Sequence, residues 1–321
     1  MKNICHIGSY YSLLIYLLLP DKNVKNTFFF FGDLIEIKNL PKNYYIIKRK
    51  NLKFPLSFIY HDFILKFILN RIVKKNKLNT NIIYGQDHLL GSSYFLKYNF
   101  YLIEDGLSFY TTFEIDKKKY YEKYWINKIL GRKKVQGLDK NVKKIYVTRT
   151  SGIPNEIKEK VKLINLKTLW NLKTEQEKKD ILNIIGIDFS DTKKLTKAKN
   201  ILLTQPLSED SVVTEEEKIG FYKKIIEEFG EEKLLIKPHP REKTDYKKIF
   251  PKAIVISRNF PFELVSILIS DIKVKNLITL FSTAVFSMIE KKDTKIVFYG
   301  TKISKKLIDR FGDLKLEDYQ K

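Results

Sequence analysis

Residues 199–240 read KNILLTQPLSEDSVVTEEEKIGFYKKIIEEFGEEKLLIKPHP, and they decide the fold. "KNILLTQPL" is a short apolar run that stops in a proline-containing loop, the pattern of a buried strand. "TEEEKIGFYKKIIEEFG" spaces its apolar residues for a helix. Thr214 stands where a cap belongs, Glu217 follows three residues later, and Gly230 stops the element. "KLLIKPHP" is the next strand. Strand, helix and strand in this order predict a mostly parallel sheet with helices on both faces.

The alternation extends in both directions. Downstream, "AIVIS" and "TKIVFYG" read as strands, "PFELVSILI" as a short helix, and "NLITLFSTAVFSMIE" as a strand running straight into a helix. Upstream, "NICHIG", "TFFFFG", "YYIIKR", "NIIYG" and "FYLIEDG" read as strands, and "PLSFIYHDFILKFILNRIVKK" as an amphipathic helix with a basic end. Residues 116–195 are charged and lysine-rich, with strand-like "KKIYVT" and "KVKLIN" at their centre. No internal repeat is visible. The expectation is an α/β chain of two Rossmann-like domains facing a central cleft. Residues 1–150 would form the first domain, 151–195 a connecting segment, and 196–321 the second domain.

Composition narrows the function classes. Hydrophobic residues make up 44% of 321, including 22 Phe and 19 Tyr, enough for a large core and too many for a disordered chain. The single cysteine, Cys5, allows no internal disulfide and fits a reducing compartment. The formal charge of +23 favours anionic partners. The lysines are scattered in pairs, without the glycine and aromatic interleaving of an RNA-binding module, which argues against nucleic acid. The opening apolar run, Tyr10–Leu19, is shorter than the roughly 20 residues of a membrane-spanning helix. No small-residue cleavage site follows it. "SYYS" is therefore read as a turn, "LLIYLLL" as a buried helix, and the protein as cytoplasmic.

In open α/β sheets ligands bind beyond the carboxyl ends of the strands, and four polar clusters fall there. "LIEDG" supplies Glu104, Asp105 and Gly106; "LLTQPLSED" supplies Gln205, Glu209 and Asp210. "LLIKPHPRE" supplies His239, Pro240 and Arg241, and "LITLFSTAV" supplies Ser282 and Thr283 at a strand-to-helix junction suited to phosphate. His239 lies between two prolines, which hold it extended on a stiff loop. No Walker, G-x-G-x-x-G, G-x-S-x-G or zinc-spaced pattern is present. A carboxylate base and an imidazole acid beside a phosphate site suit displacement at a sugar–phosphate bond. With no protein nucleophile, that is one in-line step that inverts the anomeric centre.

These marks resemble the bacterial sialyltransferases of glycosyltransferase family 52, the group that includes lipooligosaccharide and capsular polysaccharide sialyltransferases. The resemblance is carried by "FYLIEDG", "ILLTQPLSED", "KPHPRE" and "LFSTAV", from about residue 100 to 290. It implies a GT-B type fold, CMP-sialic acid as donor, inversion and no metal; the function expected is transfer of sialic acid to a terminal sugar, galactose, of a cell-surface glycan. By the same resemblance Asp210 looks like the general base, with Glu209, Glu104 and Asp105 as rivals, and His239 like the acid facing the CMP phosphate. Gln205, Pro240, Glu263, Ser282 and Thr283 would bind CMP. A homodimer, domain-swapped in the family, belongs to the same expectation; membrane-anchored relatives begin with a transmembrane helix, and because the apolar run here is too short to span, any contact with anionic membrane is expected to be peripheral and electrostatic. Two rival readings stand beside it: a related transferase using another nucleotide sugar, and a basic protein binding nucleic acid or anionic membrane.

Overall fold

The structure, a computed structural model, describes residues 1–32, 35, 37, 39–53, 56–106, 109–110, 112–130, 134–187, 192, 195, 197–268, 273–282, 284–285 and 294–319. The chain divides into two compact units, Met1–Ile184 and Ile185–Lys321.

The first unit is built on seven strands: β1 (Asn3–Ile7), β2 (Thr27–Gly32), β3 (Tyr44–Ile47), β4 (Ile83–Gly85), β5 (Phe100–Ile103), β6 (Val142–Val147) and β7 (Val161–Leu163). They are all parallel, in the order β3-β2-β1-β4-β5-β6-β7. A strand covered on both faces needs apolar residues at successive positions. The wholly buried TFFFFG of β2 shows it. The strand β7 corrects the sequence-based division: residues 151–184 are not a connection but carry this edge strand and two helices of the first unit.

A second correction concerns the start. Ser9 caps a helix, its hydroxyl accepting the Ser12 N–H at 3.2 Å, so "SYYS" opens the Tyr10–Leu18 helix instead of forming a turn. At the carboxyl end of β4, Gly85 has φ +152°, and a Cβ there would stand 2.1 Å from the His6 carbonyl oxygen. Glycine thus lets β4 close onto β1 and brings Gln86 and His88 beside the cap. There Gln86 Oε1 accepts the Gly8 N–H at 2.6 Å.

The second unit has five parallel strands: β8 (Asn200–Leu203), β9 (Leu234–Lys237), β10 (Ile254–Val255), β11 (Asn276–Thr279) and β12 (Lys295–Phe298), in the order β10-β9-β8-β11-β12. The Glu215–Phe229 helix has the full capping box at Thr214 and Glu217 and ends at Gly230. Its Tyr222, Ile225 and Ile226 pack with Leu202, Leu234, Ile236 and Ile278 of the sheet. Because β8 lies between β9 and β11, the loops that follow these three strands leave the same sheet edge side by side.

Candidate active site

In the second unit the three loops are tied together. Thr204, at the end of β8, hydrogen-bonds the Glu242 carboxylate of the β9 loop. Gln205 accepts the Phe281 N–H at 3.2 Å, fixing the backbone before Ser282, while its own N–H donates to the Tyr222 hydroxyl at 2.7 Å. Ser282 donates its N–H to Thr279 Oγ1 at 3.0 Å and offers its own Oγ to the Ala284 N–H at 3.4 Å. Gln205 is therefore a brace for the Ser282 loop. Thr283 lies outside the described residues.

Glu242, 1% exposed, is the centre of the β9 loop. Besides Thr204 it accepts the His239 N–H at 2.6 Å and the Tyr246 hydroxyl at 2.7 Å. Burial raises its pKa, against the hydrogen bonds from Thr204, Tyr246 and His239. His239 Nδ1 accepts the Arg241 N–H at 3.2 Å. In the neutral imidazole that leaves the proton on Nε2, where it can be donated. Burial lowers the His239 pKa to about 4, and the charges of Arg241 and Lys237 add to this. A ring kept neutral among cations accepts a proton far more readily once a phosphate dianion is beside it. Lys237 is itself buried, donating to the Pro238 and Arg258 carbonyls, with burial lowering its pKa to about 8. Pro240 is exposed on this loop. Glu263 lies in the first turn of the Phe262–Leu268 helix, and its charge acts on Lys237.

The two acids of "LSED" have different situations. Glu209 accepts from Lys218 Nζ at 3.1 and 2.9 Å and from the Lys243 N–H at 2.6 Å. Lys218, on the Glu215–Phe229 helix, is fully buried and also pairs with Glu215 at 2.9 Å. Burial opposes ionisation of Glu209, but Lys243 and Lys218 outweigh it and its pKa falls. It is a tether between loops. Asp210 faces Arg241, which grips both carboxylate oxygens, Nη2 to Oδ2 at 3.0 Å. The pair is partly exposed, and a cavity of about 480 Å³ opens there between Ser208, Glu209, Glu215, Arg241 and Lys243.

The remaining candidates belong to the first unit. Glu104 is fully buried and takes hydrogen bonds from Tyr11, Tyr110 and Thr148, the last at 2.6 Å. These three bonds tie the end of β5 to the Tyr10–Leu18 helix, to Tyr110 and to Thr148 just after β6. Asp105 is more open: its Oδ2 stands 3.6 Å from His88 Nε2, with side chains 28% and 39% exposed. Burial opposes its ionisation, yet hydrogen bonds from His88 and Ser9 hold its pKa below the usual value. The partner His88 is correspondingly raised: burial works against its charge, and Asp105 and Asp87 outweigh it. His88 belongs to none of the strand-end clusters picked out from the sequence. It stands 17 positions before Asp105, and only the pairing of β4 with β5 brings them together. Among the described residues no group of three or more His, Cys, Asp or Glu is arranged to hold a metal ion.

Two parallel α/β units, with an imidazole presented beyond the strand ends of one and a carboxylate–imidazole pair beyond those of the other, are the build of a GT-B type glycosyltransferase. The chain belongs to glycosyltransferase family 52, whose pattern matches residues 31–304. An uncharacterised protein of Haemophilus influenzae is 40% identical over 326 residues, covering 99% of this chain and 100% of that protein. The α/β-galactoside α-2,3-sialyltransferase of Photobacterium phosphoreum has a similar fold, with TM-score 0.57, 14% identity and 100% of both chains covered. So does the 2,6-sialyltransferase of Photobacterium sp. JT-ISH-224, solved with CMP and lactose: TM-score 0.55, 12% identity, 98% of this chain and 78% of that one.

Proposed function

We propose that this glycosyltransferase moves sialic acid from CMP-sialic acid to a terminal galactose of a cell-surface glycan, such as a lipooligosaccharide or capsular polysaccharide, in the cytoplasm and without a metal ion. Membership of family 52 supports the reaction class. The observation that carries the mechanism is the state of His239, neutral, with Nδ1 occupied by Arg241 and Nε2–H left to donate. As the acceptor oxygen attacks the anomeric carbon, its proton passes to a carboxylate. The carbon–oxygen bond to CMP breaks, its electron pair stays on the phosphate oxygen, and His239 stabilises that departing phosphate by a hydrogen bond from Nε2–H. One displacement inverts the centre. Gln205 would hold the β11 loop for the phosphate through Phe281, placing the Ser282 hydroxyl; Pro240 and Glu263 would flank the nucleotide.

In this reading Asp210 is the base, and acceptor binding must take it from Arg241. A second reading has a specific observation in its favour. Because Arg241 holds both oxygens of Asp210, Asp105, facing His88, is the alternative base.

The test is product formation from CMP-sialic acid and lactose with EDTA present, alongside thermal stabilisation by CMP, UMP and UDP. Sialyl-lactose and a preference for CMP are expected; a preference for UDP would overturn the donor. His239→Ala should fold, bind CMP and lose turnover by about 10²–10⁴-fold. Of Asp210→Asn and Asp105→Asn, the one that removes the base should show a loss of that size in kcat with little change in CMP affinity.

A further inference from the structure

We propose that the first unit seats on an anionic lipid bilayer through one apolar, lysine-rimmed face made by its Leu65–Lys75, Phe113–Glu122 and Tyr124–Ile129 helices. Proteins rarely leave large apolar side chains exposed in a group. Here Trp125 is 70% exposed, Ile126 56% and Ile129 80%, while Phe63 is 53% and Phe67 69% exposed. The two groups adjoin: Lys66 Nζ, between Phe63 and Phe67 in the chain, donates to the Leu130 carbonyl at 2.9 Å, next to Ile129.

The charge around this face chooses the occupant. Residues 56–77 hold Lys66, Arg71, Lys74, Lys75 and Lys77 against the single acid Asp62, and residues 113–134 hold eight Lys or Arg against three Asp or Glu. A cationic rim around Trp, Phe and Ile is the composition of a surface that lies in the headgroup region of an acidic bilayer. Aromatic rings sink to the acyl boundary, and lysine stems reach past them to the phosphates. Lys128 already lies over the Trp125 ring at 5.3 Å.

The Phe113–Glu122 and Tyr124–Ile129 helices, with Lys123 between them, also line a polar cavity of about 660 Å³ with His88, through Asp116, Lys119, Tyr120, Lys123 and Asn127. A bilayer against the apolar face would hold a lipid-linked glycan close to that cavity and to Asp105. The membrane contact itself does not rest on the choice of sugar donor.

The test is co-sedimentation with vesicles of phosphatidylcholine alone or mixed with phosphatidylglycerol, at moderate and at high salt, read with tryptophan fluorescence. Trp170, the other tryptophan, is buried, so a blue shift on binding reports Trp125. Wild-type protein is expected to sediment with the mixed vesicles only, with that shift. Trp125→Ser/Ile129→Ser should bind them at least about tenfold more weakly, at unchanged melting temperature and unchanged CMP binding. Absence of sedimentation overturns the proposal. So does equal binding by the double variant, which would leave scattered charge as the whole cause. A wild-type dimer that the double variant separates, with no vesicle binding by either, would instead make this face an interface between two copies.

Discussion

The imidazoles of His6 and His239 are both held neutral, and the causes can be separated experimentally. His6 is fully buried against Phe95, with ring centroids 4.8 Å apart, and burial lowers its pKa to about 3. His239 is lowered to about 4 by burial first and then by neighbouring cations. Unfolded, each takes a proton near pH 6.5. Between there and the folded values the unfolded chain binds protons that the folded chain refuses, so stability is full above about pH 6.5 and declines as pH falls towards 4. For His239 a sharper outcome is expected by NMR: its ring titrates below about pH 5 in the free protein, and CMP moves that titration upward. A ring that titrates near 6.5 in both states would remove the argument that Arg241 and Lys237 hold it in readiness. At this scale the sequence was partly legible. Pro-His-Pro at a strand end singled out His239 because two prolines leave the residue between them few conformations. Nothing in the order of residues separated Glu104 from Asp105, since the difference is three hydroxyl donors from Tyr11, Tyr110 and Thr148, far apart in the chain. The grip of Arg241 on Asp210 was hidden for the same reason.

Among elements, the β8 loop depends on a charge inside the fold. Lys218 is buried on the Glu215–Phe229 helix and reaches Glu209 in the loop and Glu215 on its own helix. Removing one member of a buried pair leaves the other charged and unsolvated. Lys218→Met is expected to cost about 3 kcal/mol in urea unfolding and to weaken CMP binding, because Glu209 also fixes the Lys243 N–H beside the His239 loop. Loss of stability with CMP affinity intact would show that the tether does not shape the site. Elements were the most legible level: each strand expected from an apolar run has a counterpart in the two sheets, because strands covered on both faces leave an uninterrupted apolar signature. The failures were local. Ser9, Tyr10, Tyr11 and Ser12 look like a turn until the Ser9 hydroxyl is seen capping Ser12. Residues 151–184 look like a connection because "KVKLIN", although strand-like, becomes a three-residue, largely exposed edge strand β7, and an edge strand's sequence does not say which sheet it joins.

For the whole molecule, each unit has its own sheet and its own core, so a ligand held by one unit should protect that unit first. CMP is expected to slow amide exchange in residues 204–210, 237–243 and 276–285 and to leave β1–β7 nearly unchanged. At about a hundred times its dissociation constant it would stabilise the unit that binds it by about 2.7 kcal/mol. Equal protection of β1–β7 would mean that the first unit takes part in nucleotide binding.

The arrangement of the first sheet also has a consequence for how the protein is made. Strand β1 is synthesised before both of its neighbours, yet it sits inside the sheet between β2 and β4, and β4 is not synthesised until residues 83–85. Until then one edge of β1 and the apolar helix after it have nothing to close against. Parallel pairing across so much chain is slow compared with helix or hairpin formation. Residues 1–20 are therefore the stretch a nascent-chain chaperone would shield, and the stretch from which aggregation would begin if synthesis stalled before β4.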